Sequence, residues 1–227
     1  MNPTHAHPLS SLDPAIILRA YQVRDRPQVR ALACDTAARG EPVEEFFHDR
    51  ELFADALTTY YTDWEPQALW VAEYNGQVVG YLTGCLDDRR YRRLMVRRIL
   101  PRLILRALGR GAFLHPHTWR LAAAAWRTWR LGRRRRRDRE TYPAHLHVNL
   151  QQGFRGRRIG ERLVQRFLQQ AVAAGVPGVR AAVRSDNAAA GRFFARLGFV
   201  EISRVSVVFP SDRRLKRRDT IVYGRRV

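Results

Sequence analysis

The chain of 227 residues carries 41 lysine and arginine side chains against 21 acids, a net charge of +20, and 45% hydrophobic residues. That length supports a sizeable core in one domain, with room for a large insertion. Two cysteines, Cys34 and Cys85, exclude a disulfide framework and point to a reducing, cytoplasmic setting; Met1–Leu12 lacks the basic and apolar regions of a signal peptide, and arginines interrupt every candidate membrane span.

The charge is unevenly placed. Residues 89–139 hold 18 arginines and one acid, Asp138, and Lys216 is the one lysine in the chain. The arginine bias fits a GC-rich bacterial genome as well as a selected guanidinium chemistry.

In chain order, residues 1–14 read as a flexible tail and 15–227 as a single domain. Ala15–Tyr21 is a short apolar strand. Asp25 and Pro27 start a helix that runs to about Ala38, and Gly40–Pro42 breaks the chain. Glu44–Tyr61 is patterned as a helix. Its acids Glu44, Glu45, Asp49, Glu51 and Asp55 are read as solvated, with a cationic amine as the other reading. Ala68–Tyr74 and Gln77–Leu86 form a hairpin around Asn75–Gly76. Gly80 and Gly84 in its second strand mark a bulge or a close ligand approach.

Residues 89–140 form a basic insertion. Tyr91–Leu108 is helical, with Leu94, Ile99, Leu103 and Ile104 among arginines, and Pro101 should start or kink a helix. Thr118–Leu131 is a second helix containing Trp119, Trp126 and Trp129, and Arg133–Arg137 reads as a mobile charge run. Three readings compete: a lid or homodimer surface, an anionic membrane surface, and nucleic-acid phosphate contacts. Nucleic acid is the least expected, since no nucleic-acid motif is present.

The stretch 144–160, AHLHVNLQQGFRGRRIG, joins a strand to a helix through a basic glycine loop. His145, His147 and Asn149 alternate with Leu146, Val148 and Leu150. The loop carries Arg155, Gly156, Arg157, Arg158 and Gly160, and the helix begins at Ile159. Unpaired N–H groups in its first turn, flanked by arginines, suit a phosphate. A solvated βα turn is the plain alternative. Val179–Val183 is a strand; Ser185–Phe199 holds a helix start, an apolar helix and a Gly198 stop. Glu201–Phe209 and Thr220–Tyr223 close the chain as a hairpin with a long basic loop, Pro210–Asp219.

These two segments resemble the GNAT superfamily of acyl-CoA-dependent N-acyltransferases. Arg155, Arg158 and Gly160 occupy the marked positions of the family's Q/R-x-x-G-x-G/A loop, and Asn187, Ala190, Phe193, Phe194, Gly198 and Phe199 follow its second motif, N-x-x-A-x-x-F-Y-x-x-x-G-F. The resemblance covers residues 16–88 and 142–224. It implies an α/β (α+β) fold with a mixed, mostly antiparallel central sheet flanked by helices, here with the basic helical insertion between the third and fourth strands. The HLHVNL run is similar to bacterial members resembling the acetyltransferase-like domain of O-GlcNAc hydrolases.

The resemblance further implies transfer of an acetyl group from the cosubstrate acetyl-CoA to a primary amine of a small molecule or protein, with no metal. The cofactor-binding residues it implies are Val148, Leu150, Arg155, Gly156, Arg157, Arg158, Ile159, Gly160, Asn187 and Phe194. The catalytic candidates are His147 as base, with Asn149 and Asn187. The His145/His147 pair lacks a third metal ligand. Arg158 stands where the family has a glycine, and Phe194 where many members have a tyrosine that protonates the thiolate. A GNAT-fold acyl-CoA-binding protein of weak or no activity is therefore the alternative.

Overall fold

The computed structural model describes residues 16–37, 43–45, 47–131, 136–211 and 214–227. The tail at 1–14, the break at Gly40–Pro42 and most of the Arg133–Arg137 run lie outside the described residues. The chain forms a seven-stranded sheet built from β1 (Ile17–Ala20), β2 (Leu69–Tyr74), β3 (Gln77–Cys85), β4 (Ala144–Leu150), β5 (Gly178–Arg184), β6 (Val200–Ser211) and β7 (Arg214–Arg226). The order across the sheet is β1-β2-β3-β4-β5-β7-β6, with β4–β5 parallel and the other neighbours antiparallel.

Helices cover both faces. Helix α7 (Ile159–Ala173) makes the crossover from β4 to β5 and buries Ile159, Leu163, Val164, Phe167, Leu168 and Ala171, the helical stripe of its sequence. Helix α8 (Ala188–Arg196) brings Phe194 into the same cluster. On the other face, α1 (Arg26–Asp35) and the tyrosines Tyr60 and Tyr61 pack over Val71, Tyr81 and Cys85.

Several local expectations shift. The helix expected over Glu44–Tyr61 begins later, as α2 (Arg50–Thr59), because the Asp49 carboxylate caps it by accepting from Leu52 N at 3.0 Å. It then widens into a π-turn over Tyr60–Trp64. A bulge does fall beside Gly80, where the pairing skips Val79. Gly80 and Gly84 nevertheless face protein atoms: a Cβ at Gly84 would overlap the Phe167 ring and approach Ala68 O to 2.7 Å. The expected Pro210–Asp219 loop is largely strand. The β6–β7 ladder continues to Ser211↔Arg214, since each further rung satisfies backbone polar groups, and Pro210 is tolerated because β6 is an edge strand.

The insertion leaves and returns at one point. Asp88 N donates to Pro143 O at 3.0 Å, beside the Cys85↔His145 pair of β3 and β4. Its first helix starts at Asp88 because the Asp87 carboxylate caps Arg89 N and Arg90 N. It runs as α3 (Asp88–Leu94), a π-turn (Met95–Ile99) and α4 (Leu100–Gly109) without a break. The wider turn lies directly before Pro101 and absorbs the hydrogen bond that proline cannot donate. Helix α5 (Pro116–Leu131) lies against β6, and α6 (Arg136–Thr141) leads into β4. No helix among the described residues is long and apolar enough to cross a membrane.

Candidate functional site

The parallel ladder between β4 and β5 comprises Ala144–Leu146 against Val179–Ala181 and stops there. From His147 to Leu150, β4 keeps its β3 partners, Thr83 back to Gly80, but has no β5 partner. The two strands thus part like an opened seam. The seam opens toward the loop that leads into α7, and the exposed edge of β4 offers backbone donors and acceptors along one side.

The loop at the open end is fixed by its own side chains. Phe154 packs on Tyr74, with ring centroids 5.2 Å apart, and Arg157 lies 5.5 Å above the Phe154 ring. Arg155 Nε donates to Leu150 O at 3.3 Å. Arg155, Gly156, Arg157 and Arg158 are exposed, whereas Ile159 and Gly160 are buried in the first turn of α7. The unpaired N–H groups of that turn therefore face a cluster of arginines.

Arg158 retains a glycine's backbone. Its φ is 57° and its ψ 10°, the left-handed region, and Gly156 beside it has φ 80°. An arginine held there costs about 1 kcal/mol relative to glycine. Arg158→Gly should therefore stabilise the protein by about 0.5 to 1 kcal/mol, seen as a higher urea midpoint at unchanged slope.

The polar face of β4 divides into three environments. His145 is enclosed: its Nε2 lies 3.1 Å from Tyr61 Oη, Tyr91 packs edge-on at 4.9 Å between centroids, and its Nδ1 lies 3.5 Å from Asp88 Oδ1. That last distance is long for a hydrogen bond, and Nδ1 has no other partner among the described residues. Burial lowers the His145 pKa, so the ring is neutral near pH 7. Burial keeps the Tyr61 phenol protonated, and the tautomer that suits both neighbours accepts from Tyr61 at Nε2 and points Nδ1–H at Asp88. Asp88 is buried as well. Burial alone would raise its pKa, but His145 and the Arg180 guanidinium hold it at about 2, and Arg139 Nε lies 3.6 Å away.

His147, two residues on, is exposed at the point where the seam opens, and its ring makes no hydrogen bond among the described residues. Although solvent reaches the ring, the surrounding sheet removes enough water to lower its pKa, and His145 adds to the effect. Asn149 is half-buried and donates through Nδ2 to Tyr81 Oη at 2.9 Å. Across the seam, Asn187 caps α8 by accepting from Ala190 N at 3.1 Å. Phe194 is buried among Phe193, Phe199 and Tyr223.

Two of the acids expected as solvated, Asp49 and Asp55, serve the insertion instead, while Glu44 and Glu51 stay at the surface. Asp49 and Asp55 are buried; Asp49 pairs with Arg110 at 2.7 Å, and Asp55 pairs with Arg106 and, at 2.5 Å, with Arg30. Glu51 and Glu44 are exposed and pair with Arg30 and Arg50. A cleft of about 540 Å³ lies away from the seam, between α1, α2 and α4, and is lined by Asp55, Asp63, Trp64 and Arg102. Among the described residues no group of three or more side chains could hold a metal ion.

A sequence model of the Acetyltransferase (GNAT) family matches residues 119–199, which span β4, the basic loop, α7 and the capped α8. The fold matches the crystal structure of SsHAT with a TM-score of 0.69 and 27% identity, covering 94% of this chain and 98% of that one. Over residues 119–199 the chain matches the GNAT family, and its fold is the GNAT fold. The Drosophila melanogaster polyamine N-acetyltransferase, which forms N-acetylagmatine, shares the GNAT fold at TM-score 0.59 and 15% identity, over 94% of this chain and 100% of its own. A Salmonella typhimurium structure with its cofactor acetyl-CoA shares it at TM-score 0.54 and 14% identity, over 93% and 94%. These matches do not single out the subgroup of GNAT proteins associated with O-GlcNAc hydrolases.

The sequence placed the strand, loop and helix that meet at the seam. It missed Tyr61, Asp88 and Arg180, which surround His145 from three distant segments. The available signal was the acid pair Asp87–Asp88 at the start of a run of arginines.

Proposed function

We propose that the protein is an N-acetyltransferase that moves an acetyl group from acetyl-CoA to a primary amine. The observation that carries this reading is the seam: an unpaired stretch of β4 ending at a basic helix N-terminus. The α7 N–H groups with Arg155, Gly156, Arg157 and Arg158 suit the pyrophosphate. The free edge at Val148 and Leu150 suits the amide-bearing pantetheine arm, which would add to it like a short strand. A backbone N–H of the same edge is the donor available to a developing oxyanion.

In the reaction the amine nitrogen bonds to the thioester carbon, the C–S bond breaks, and the amine loses a proton. His147 is the base this site supplies: neutral near pH 7, exposed and unbonded. His145 is occupied by Tyr61 and Asp88. Asn149 is steadied by Tyr81, and Asn187 lines the opposite wall while capping α8. Phe194 donates no proton, so the leaving thiolate, whose conjugate acid has a pKa of about 8.5, takes its proton from water.

A second reading, acyl-CoA binding without turnover, is favoured by the burial of Phe194 in the core, where no hydroxyl replaces the usual tyrosine. Calorimetric titration with acetyl-CoA, with CoA and ATP as controls, tests the shared premise. Saturable binding of acetyl-CoA tighter than ATP at moderate salt is the expected result. Binding no tighter than ATP and abolished by salt would remove both readings. An amine-acceptor screen then separates turnover from binding.

A further inference from the structure

Helix α4 is strongly amphipathic, yet it sits with its apolar face outward. Its arginines Arg106 and Arg110 turn inward to the buried carboxylates Asp55 and Asp49 of the α2 segment. Leu103 and Ala107 make the inner apolar contact, and no residue of α4 is buried. The outer face carries Leu100, Ile104 and Leu108, with Val96 one turn earlier and Leu105 at the edge it shares with the cleft toward α2, and all five are between 45% and 67% exposed. This orientation is not slack packing. Two buried acids fix which edge of the helix faces the protein: Asp49 has Arg110 as its ion-pair partner among the described residues, and losing that partner would cost several kcal/mol, while Asp55 shares Arg106 with Arg30.

An outward row of branched apolar side chains calls for a cover. We propose that this face of α4 docks on an anionic lipid bilayer. The face is the convex side of a single helix, not a groove, so it suits a surface into which it can sink. Arg97, Arg98 and Arg102 flank it, are exposed, and form no ion pair among the described residues. Arginine stems run along apolar surface while their guanidinium groups reach lipid phosphates. A second copy of the chain would bring the same unneutralised arginines against each other. Trp119, on the next helix, exposes its ring while its Nε1 is bonded to Phe113 O at 2.8 Å, a side chain suited to the headgroup layer.

Flotation of the full chain with vesicles at about 0.15 M ionic strength tests this. The expected result is binding to phosphatidylcholine vesicles containing phosphatidylglycerol, and none to phosphatidylcholine alone. Two triple variants separate charge from insertion: Leu100→Gln with Ile104→Gln and Leu108→Gln, and Arg97→Gln with Arg98→Gln and Arg102→Gln. Each should weaken binding about tenfold or more. A polarity-sensitive label on Leu105→Cys, with Cys34 and Cys85 buried, should shift its emission to the blue on anionic vesicles. The proposal fails if the leucine and isoleucine variant binds as the parent does, if polyglutamate competes as well as anionic vesicles, or if the label does not shift. It also fails if the label is already shielded without lipid in a dimer that the same variant breaks, since that outcome assigns the face to a second copy.

Discussion

Replacing Asp88 with asparagine should destabilise the protein by about 3 kcal/mol or more, measured by urea denaturation. The Asp88 carboxylate is 7% exposed and is the shared counter-charge of Arg180 and Arg139, with His145 beside it. An amide there keeps the shape and removes the charge, leaving two guanidinium groups with no anion. The cost exceeds that of a surface pair because neither arginine can turn into bulk water: Arg180 is 15% and Arg139 30% exposed. A cycle with Arg180→Met should recover part of the loss in the double variant, since the charge and its partner leave together. The pH dependence has a definite sign. The Asp88 pKa falls from about 3.9 unfolded to about 2 folded, so its contribution is complete above about pH 4 and lost as the pH falls through 2. The asparagine variant should lack that increment. Equal stability of parent and variant at pH 7 would mean that the cluster is solvated in solution.

His147→Ala is expected to lower the turnover number for acetyl transfer by about 100- to 10,000-fold while leaving acetyl-CoA affinity nearly unchanged. Among the described residues the side chain has no ring contact or hydrogen-bond partner, so its removal should cost little stability. Its pKa lies below the ordinary 6.5, so the parent's rate should rise with pH through a midpoint below 6.5 and then level off. In the alanine variant that acid limb should vanish. A variant that keeps both the rate and the limb would assign the proton to another group.

What the sequence made legible was local. The strand 144–150, the loop 154–158 and the α7 stripe are neighbours in the chain, so periodicity and glycine placement were enough to set them side by side. The capping role of Asn187 was legible for the same reason. The partners of the charges were not. Nothing local says that Asp49 and Asp55 will meet Arg110 and Arg106 across more than fifty residues, or that Asp88 will meet Arg180. A carboxylate in a sequence reads as solvent-facing until tertiary contacts supply its cation. The same blindness applies to α4, whose pattern marks an apolar face but not the direction in which it points. The ladder of β6 and β7 outran its expected length because backbone groups pair whatever the charge of the side chains the strands carry.

The closing of the insertion at Asp88 and Pro143 also sets the order of folding. In a bare hairpin, β3 and β4 would zip from a short turn. Here the Cys85↔His145 pair must close a loop of residues 86–144, an entropic cost about 2 to 3 kcal/mol above that of a two-residue turn. The β2–β3 hairpin bears no such burden, since Asn75–Gly76 turns it with φ values of 50° and 76°. That hairpin is the natural early nucleus. The strand that carries His147 joins it only after the arginine-rich helices have collapsed or been carried along unfolded, so mutations in the insertion should slow refolding even where they leave the native sheet untouched.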